Sequence, residues 1–169
     1  MQPSGFPDAP DLRSQLEGPD RPLRMAEMAG AIGRLRGTER ALFGWLGRSA
    51  VVCELAPVAT WASGASLRAA WRSSQLEALM PVSAGVPAAG ARTGGLAALD
   101  ELPAAVDTSL LEVAVRWYGL LGHAYRFRLG RLTRAADGHV ERVLRRVVVD
   151  LEDETASARA ALITAGRTA

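Results

Sequence analysis

Four stretches of this 169-residue chain carry apolar residues at spacings of three, four and seven, and the breaks between them run short, long, short. At roughly 100° per residue, such spacing gathers each stretch's apolar side chains on one face of a helix. The stretches cover residues 22–51, 57–80, 106–133 and 138–164. A short link between two helices leaves them little choice but to fold back antiparallel. The first and second segments are therefore expected to form one hairpin, and the third and fourth another. The link 81–105 is different. It holds Gly85, Gly90, Gly94 and Gly95 with Pro81, Pro87 and Pro103, and is long enough to cross the length of a bundle, with room for a helical turn over 96–102. Val147, Val148 and Val149 favour a strand locally. The surrounding stretch nevertheless keeps helical spacing at Val140, Leu144, Val147, Leu151 and Ala158. The expected fold is all-α: an antiparallel four-helix bundle with one long crossover between its second and third helices.

The ends of the chain read differently. Residues 1–21 contain Pro3, Pro7, Pro10 and Pro19 with Gly5 and Gly18, and few large apolar side chains. That composition predicts a flexible tail ahead of a bundle over 22–164, with a short C-terminal tail at 165–169. Asp20 is the expected N-cap of the first helix, with Pro22 in its first turn. Asp107 or Thr108 opens the third helix, and the break at Ala135-Ala136-Asp137-Gly138 precedes the fourth.

Composition removes several functions. The net charge is only +2, and all 20 cationic residues are arginine. A chain without lysine but rich in Ala, Gly and Arg carries the bias of a GC-rich bacterial genome. Acidic residues are mixed among the arginines, so no basic stripe predicts nucleic-acid binding. Arg142, Arg145 and Arg146, diluted by Glu141 and Asp150, read as a solvated face. The single Cys53 excludes an intramolecular disulfide and reads as a small buried thiol. No run of 18 apolar residues predicts a membrane span. No basic start followed by an apolar core reads as a secretory signal, so the expected location is cytoplasmic.

The polar residues on the apolar faces carry the functional information. In the first segment Met28, Ile32, Leu35, Leu42 and Leu46 share a face, and Glu39 falls at its centre. A carboxylate directed into a core needs a metal, a cation or a proton. In the second segment Val58, Ala62, Ala65, Ala69, Leu76 and Leu79 share a face that also holds Arg72, with Arg68 one turn away toward its edge. In the fourth, Glu154 lies three after Leu151 and four before Ala158. The third segment presents Leu111, Val115, Tyr118, Gly122, Tyr125, Leu129 and Leu132. Counting levels along antiparallel helices puts Glu39, Arg68, Arg72, Tyr118 and Glu154 near one layer.

Two hairpins and one crossover, together with the core Glu39 followed by Arg40-Ala41-Leu42-Phe43, the run Ala70-Trp71-Arg72-Ser73-Ser74-Gln75-Leu76 leading to Met80-Pro81-Val82, Ala136-Asp137-Gly138-His139-Val140, and Asp150-Leu151-Glu152-Asp153-Glu154, resemble a group of bacterial ferritin-like proteins of unassigned function over about 22–164. The resemblance implies a dimetal site of iron or manganese, built from a Glu on each of two helices and a Glu-x-x-His on each of the other two. Glu39 matches the first such Glu. The rest departs. The second segment contains no His and carries Arg68, Arg72 and Ser74 where the resembling proteins place ligands, Glu152 is followed three later by Thr155, and no Glu-x-x-His occurs in the chain. His123 shares its direction with Glu112 and Arg116, away from the apolar face, and His139 lies at the start of the fourth segment.

A guanidinium is permanently charged and offers five donors, so Arg72 is expected to take the metal's place between Glu39 and Glu154. The leading expectation is a non-catalytic structural or binding protein with no catalytic residues, no metal and no cofactor. The alternatives are a dimetal-carboxylate oxidase or metal-storage protein built on Glu39 and Glu154, and a helical protein–protein interaction module. The expected associations are a homodimer or a protein partner, with no nucleic acid and no membrane. Trp45 and Trp71 lie off their stripe centres, which predicts either a dimer interface or cover by the crossover; Trp61 and Trp117 read as core.

Overall fold

The computed structural model describes residues 21, 23–80, 102–132 and 134–166, and these hold four α-helices and no strand. Helix α1 spans Met25–Val52, α2 Ala56–Glu77, α3 Asp107–Leu129 and α4 Arg134–Ala165. The expected tail up to residue 20, Asp20 as an N-cap, the turn over 96–102 and residues 167–169 lie outside the described residues. The N-terminus of α1 is instead closed by the Glu27 carboxylate, which accepts the Arg24 N–H at 2.9 Å and satisfies one donor that the first turn leaves open. The break expected before the fourth helix falls where the sequence places it: Asp137 has non-helical φ −116° and ψ 15°, and divides Arg134–Ala165 into two helical segments.

Helices α1 and α2 pack as one pair and α3 and α4 as another, and α2 also packs against α4. The α1–α2 contact is close because α2 presents small residues to it. Ala62, Ala65 and Ala69 are fully buried. Ser66 Oγ donates to the Phe43 carbonyl at 2.8 Å and Ser73 Oγ to the Arg36 carbonyl at 3.3 Å, so hydroxyls of one helix reach backbone of the next. A Cβ on Gly47 would stand 3.4 Å from Ser66 Oγ, so the missing side chain helps permit this approach. Larger side chains fill the space between the two hairpins. Trp45, Trp117, Tyr118, Tyr125, Arg72 and Arg128 are among the largest fully buried residues.

Three polar contacts tie the hairpins together at one end. Trp45 is buried, and its Nε1 donates to the Pro103 carbonyl at 3.1 Å. The end of the crossover therefore covers it, and Trp45 is not available as a subunit contact. Ser49 Oγ accepts the Ala105 N–H at 3.0 Å. Asp107 Oδ1 accepts the Leu55 N–H at 3.0 Å, joining the start of α3 to the turn that begins α2. Asp107 is the one non-glycine with positive φ among the described residues, at 46°. Aspartate is one of the few side chains that tolerate that region. Cys53 ends α1 and is only partly buried, which corrects the expectation of a buried thiol. Among the described residues no helix is long and apolar enough to cross a membrane.

Candidate functional site

The inward stripe of α1 places Glu39 between Leu35 and Leu42, and its side chain is 0% exposed. Arg72, between Ala69 and Leu76 on α2, is also 0% exposed. Arg72 Nε donates to Glu39 Oε2 at 2.9 Å. The other carboxylate oxygen, Oε1, accepts the Tyr125 hydroxyl of α3 at 3.1 Å. One carboxylate thus joins three helices. Burial pushes the Glu39 carboxyl above its ordinary range, against the charge of Arg72 and the bonds from Arg72 and Tyr125. Arg72 stays cationic: burial is the largest single influence and opposes its charge, but the Glu39 carboxylate and the neighbouring Tyr118 and Tyr125 together offset it.

A second pair lies beside the first. On α4, Glu154 is nearly inaccessible, and both its oxygens accept from Arg68, through Nε and Nη2. The pair is unequal: the Arg68 side chain is 50% exposed and that of Glu154 is 2% exposed. Two sequence expectations change here. Arg68 touches the cluster from its rim and is not buried, and Glu154 pairs with Arg68, leaving Arg72 to Glu39. The reason is reach: Arg68 sits at the edge of the α2 face, where its stem can cross to α4 while its head stays wet. The two carboxylates remain close enough for Glu154 to add to the upward push on Glu39.

Tyr118 lies against this layer. Its ring centroid is 5.9 Å from Arg72 Cζ, and the ring meets Trp61 edge-on at a centroid distance of 6.5 Å. Burial, followed by the Glu154 charge, pushes the hydroxyl of Tyr118 well up, so it stays protonated. That hydroxyl, with Nη1 and Nη2 of Arg72, has no hydrogen-bond partner among the described residues.

Sequence reasoning missed two buried polar groups of α3. The spacing puts Tyr125 on the apolar face of α3, but nothing in it signals the bond to Glu39. Arg128 was not singled out and is 1% exposed. A signal for it exists: Leu110, Ala114, Trp117, Leu121, Ala124 and Arg128 recur at alternating spacings of four and three, and all are buried. The third helix buries this second stripe as well as the one containing Tyr118 and Tyr125. His123 is partly buried, while His139 and Glu112 are exposed. Arg142, Arg145 and Arg146 are exposed, and Arg146 stands 5.0 Å over the partly buried Trp71 ring.

The residues present do not fit a dimetal centre. Such a centre needs carboxylate oxygens free to bind metal and histidines beside them. Both oxygens of Glu39 and both of Glu154 already accept hydrogen bonds, and Glu152 is turned to Arg126 at 2.7 Å. Among the described residues no three of His, Cys, Asp and Glu come together in a way that could hold a metal ion. In comparisons with known proteins, no family model, no curated protein and no solved structure matches the chain.

Proposed function

We propose that the chain is a non-catalytic, ferritin-like four-helix protein of structural or binding role, in which a buried ion-pair cluster stands where a dimetal centre would otherwise lie. The observation that carries this reading is the bond from Arg72 Nε to Glu39 Oε2 at 2.9 Å, with both side chains fully buried. A guanidinium in that place supplies the positive charge a core carboxylate requires, and it repels a divalent cation. Two helix pairs joined by one long link, with α2 packed on α4, support the ferritin-like part of the reading. The competing reading is an oxidase or storage protein that loads iron or manganese through Glu39 and Glu154. That reading requires Arg72 and Arg68 to release the two carboxylates.

Elemental analysis of the full chain, purified from cells supplied with iron and manganese, separates the two. The expected result is no stoichiometric iron or manganese. About one or two metal ions per chain, lost on Glu39→Ala, would overturn the proposal.

A further inference from the structure

Arg72 carries more donors into the core than the two carboxylates beside it accept. Its Nε donates to Glu39 Oε2, and Tyr125 takes the other Glu39 oxygen. Nη1 and Nη2 hold most of the guanidinium N–H groups. Both are buried and have no hydrogen-bond partner among the described residues. The hydroxyl of Tyr118, whose ring centroid lies 5.9 Å from Arg72 Cζ, is equally buried and equally without a partner. In folded proteins the great majority of such groups are answered, by protein atoms or by ordered water.

Glu154 is the nearby acceptor with capacity left. A carboxylate offers about four lone-pair sites, and Arg68 takes one on each oxygen. The Glu154 charge reaches the inner groups: after burial, it is the next influence pushing the Tyr118 hydroxyl up, and it adds to the push on Glu39. Yet neither Tyr118 nor the Arg72 amino groups bond to it directly. Polar groups that sense each other beyond direct bonding distance are commonly joined by a water. Water has a way in, since a cavity of about 270 Å³ lined by Arg68, Asp150, Asp153, Glu154 and Ser157 lies against this carboxylate. One water needs only about 10–15 Å³ measured in this way. An anion suits the place less well, because the two guanidinium groups already face Glu39 and Glu154, and Asp150 and Asp153 line the approach.

We propose that Arg72, Tyr118 and Glu154 form a binding site for an ordered internal water, which accepts from the Arg72 amino groups and the Tyr118 hydroxyl and donates to Glu154. The water joins what the side chains leave separate. Glu39 links α1, α2 and α3, while Glu154 links α4 to α2 through Arg68. Through the water the two buried pairs become one network across all four helices, and Tyr118 is a positioning residue for Arg72. The unanswered donors call for the water whether or not a metal ever occupied this layer.

Tyr118→Phe in the full chain tests the proposal by sign. A buried hydroxyl without a partner costs stability, so its removal would leave the chain as stable or make it more so. A hydroxyl bonded to the water contributes, and its loss should raise the unfolding equilibrium constant about fivefold or more in denaturant melts. Deuterium relaxation dispersion of the solvent reads waters held for longer than the protein tumbles, and should show a smaller long-lived contribution for Tyr118→Phe than for wild type. Exchanging gluconate for chloride at constant ionic strength should leave the wild-type melt unchanged. Tyr118→Phe at least as stable as wild type, or an equal long-lived contribution in the two proteins, would overturn the proposal. So would stability that rises with chloride, which would make the occupant a small anion.

Discussion

Glu39 is held by two different donors, and each makes a separate demand on the chain. Arg72 supplies charge, and Tyr125 supplies a neutral hydrogen bond. Tyr125→Phe leaves one carboxylate oxygen in the core with one bond fewer, and should destabilise by about 1–3 kcal/mol in a denaturant melt. Arg68→Ala leaves Glu154 nearly inaccessible and unpaired, yet the arginine it loses is half exposed. Solvent can enter the space vacated, so its effect should be smaller than that of removing Arg72. Both residues of the central pair were legible in the sequence, because each lies at the middle of a helical stripe of apolar residues. The partner of Glu154 was not legible. Counting levels sets the depth of a residue in a bundle but not which of two neighbouring arginines reaches it.

The same carboxyl gives a pH dependence with a definite sign. Its folded pKa lies above the unfolded value of about 4.5, because burial outweighs the pull of Arg72 and Tyr125. Between the two values the folded chain holds the proton more readily than the unfolded chain. The stability this group contributes is therefore full below the unfolded value and is lost as pH rises through the folded value. Glu39→Gln cannot ionise and lacks that loss. Urea melts across a pH series should show wild type losing ground to Glu39→Gln as pH rises from about 4.5. Wild type gaining on the variant over that range would mean that the pair holds the carboxyl down instead.

At the scale of elements, the helices were readable because their apolar spacing continues across each of them. Their ends were less so. The glycine-containing break at 135–138 reads as the start of a helix, and Asp137 breaks the helical backbone there, with a short helical segment also preceding it. Sequence signals for a break do not distinguish a stop from a kink, because either relieves the same local backbone preference. The second buried stripe of α3, from Leu110 to Arg128, escaped because that helix faces two neighbours. Asp107 shows how a connection is fixed: its positive φ starts α3, and its carboxylate caps the Leu55 N–H of the other hairpin. Asp107→Ala loses that bond and adds backbone strain, and should cost about 1–3 kcal/mol. Asp107→Asn keeps an acceptor and tolerates the same backbone, so it should cost markedly less. Equal effects of the two in thermal melts would mean that the Leu55 bond and the backbone conformation contribute little.

For the whole molecule, the architecture joins a close α1–α2 pair to an α3–α4 pair through a layer of aromatic and charged side chains. A core built on small residues alone would let all four helices approach equally. Here Tyr118 and Tyr125 from α3 meet Trp61, Arg72 and Glu39 of the other pair. Large residues packed around a buried ion pair make that layer sensitive to any change that leaves one charge alone. A surface ion pair has no such property, since water and salt screen it. The central claim is that Arg72 and Glu39 form a desolvated pair on which the packing of the two hairpins depends. Denaturant melts of Arg72→Met and of Arg72→Met with Glu39→Gln, each at low and high salt, test it most directly. The account predicts that the single change destabilises by about 3–5 kcal/mol, that the double change recovers most of that loss, and that salt alters neither result. An Arg72→Met protein within about 1 kcal/mol of wild type, or one whose loss disappears at high salt, would contradict it.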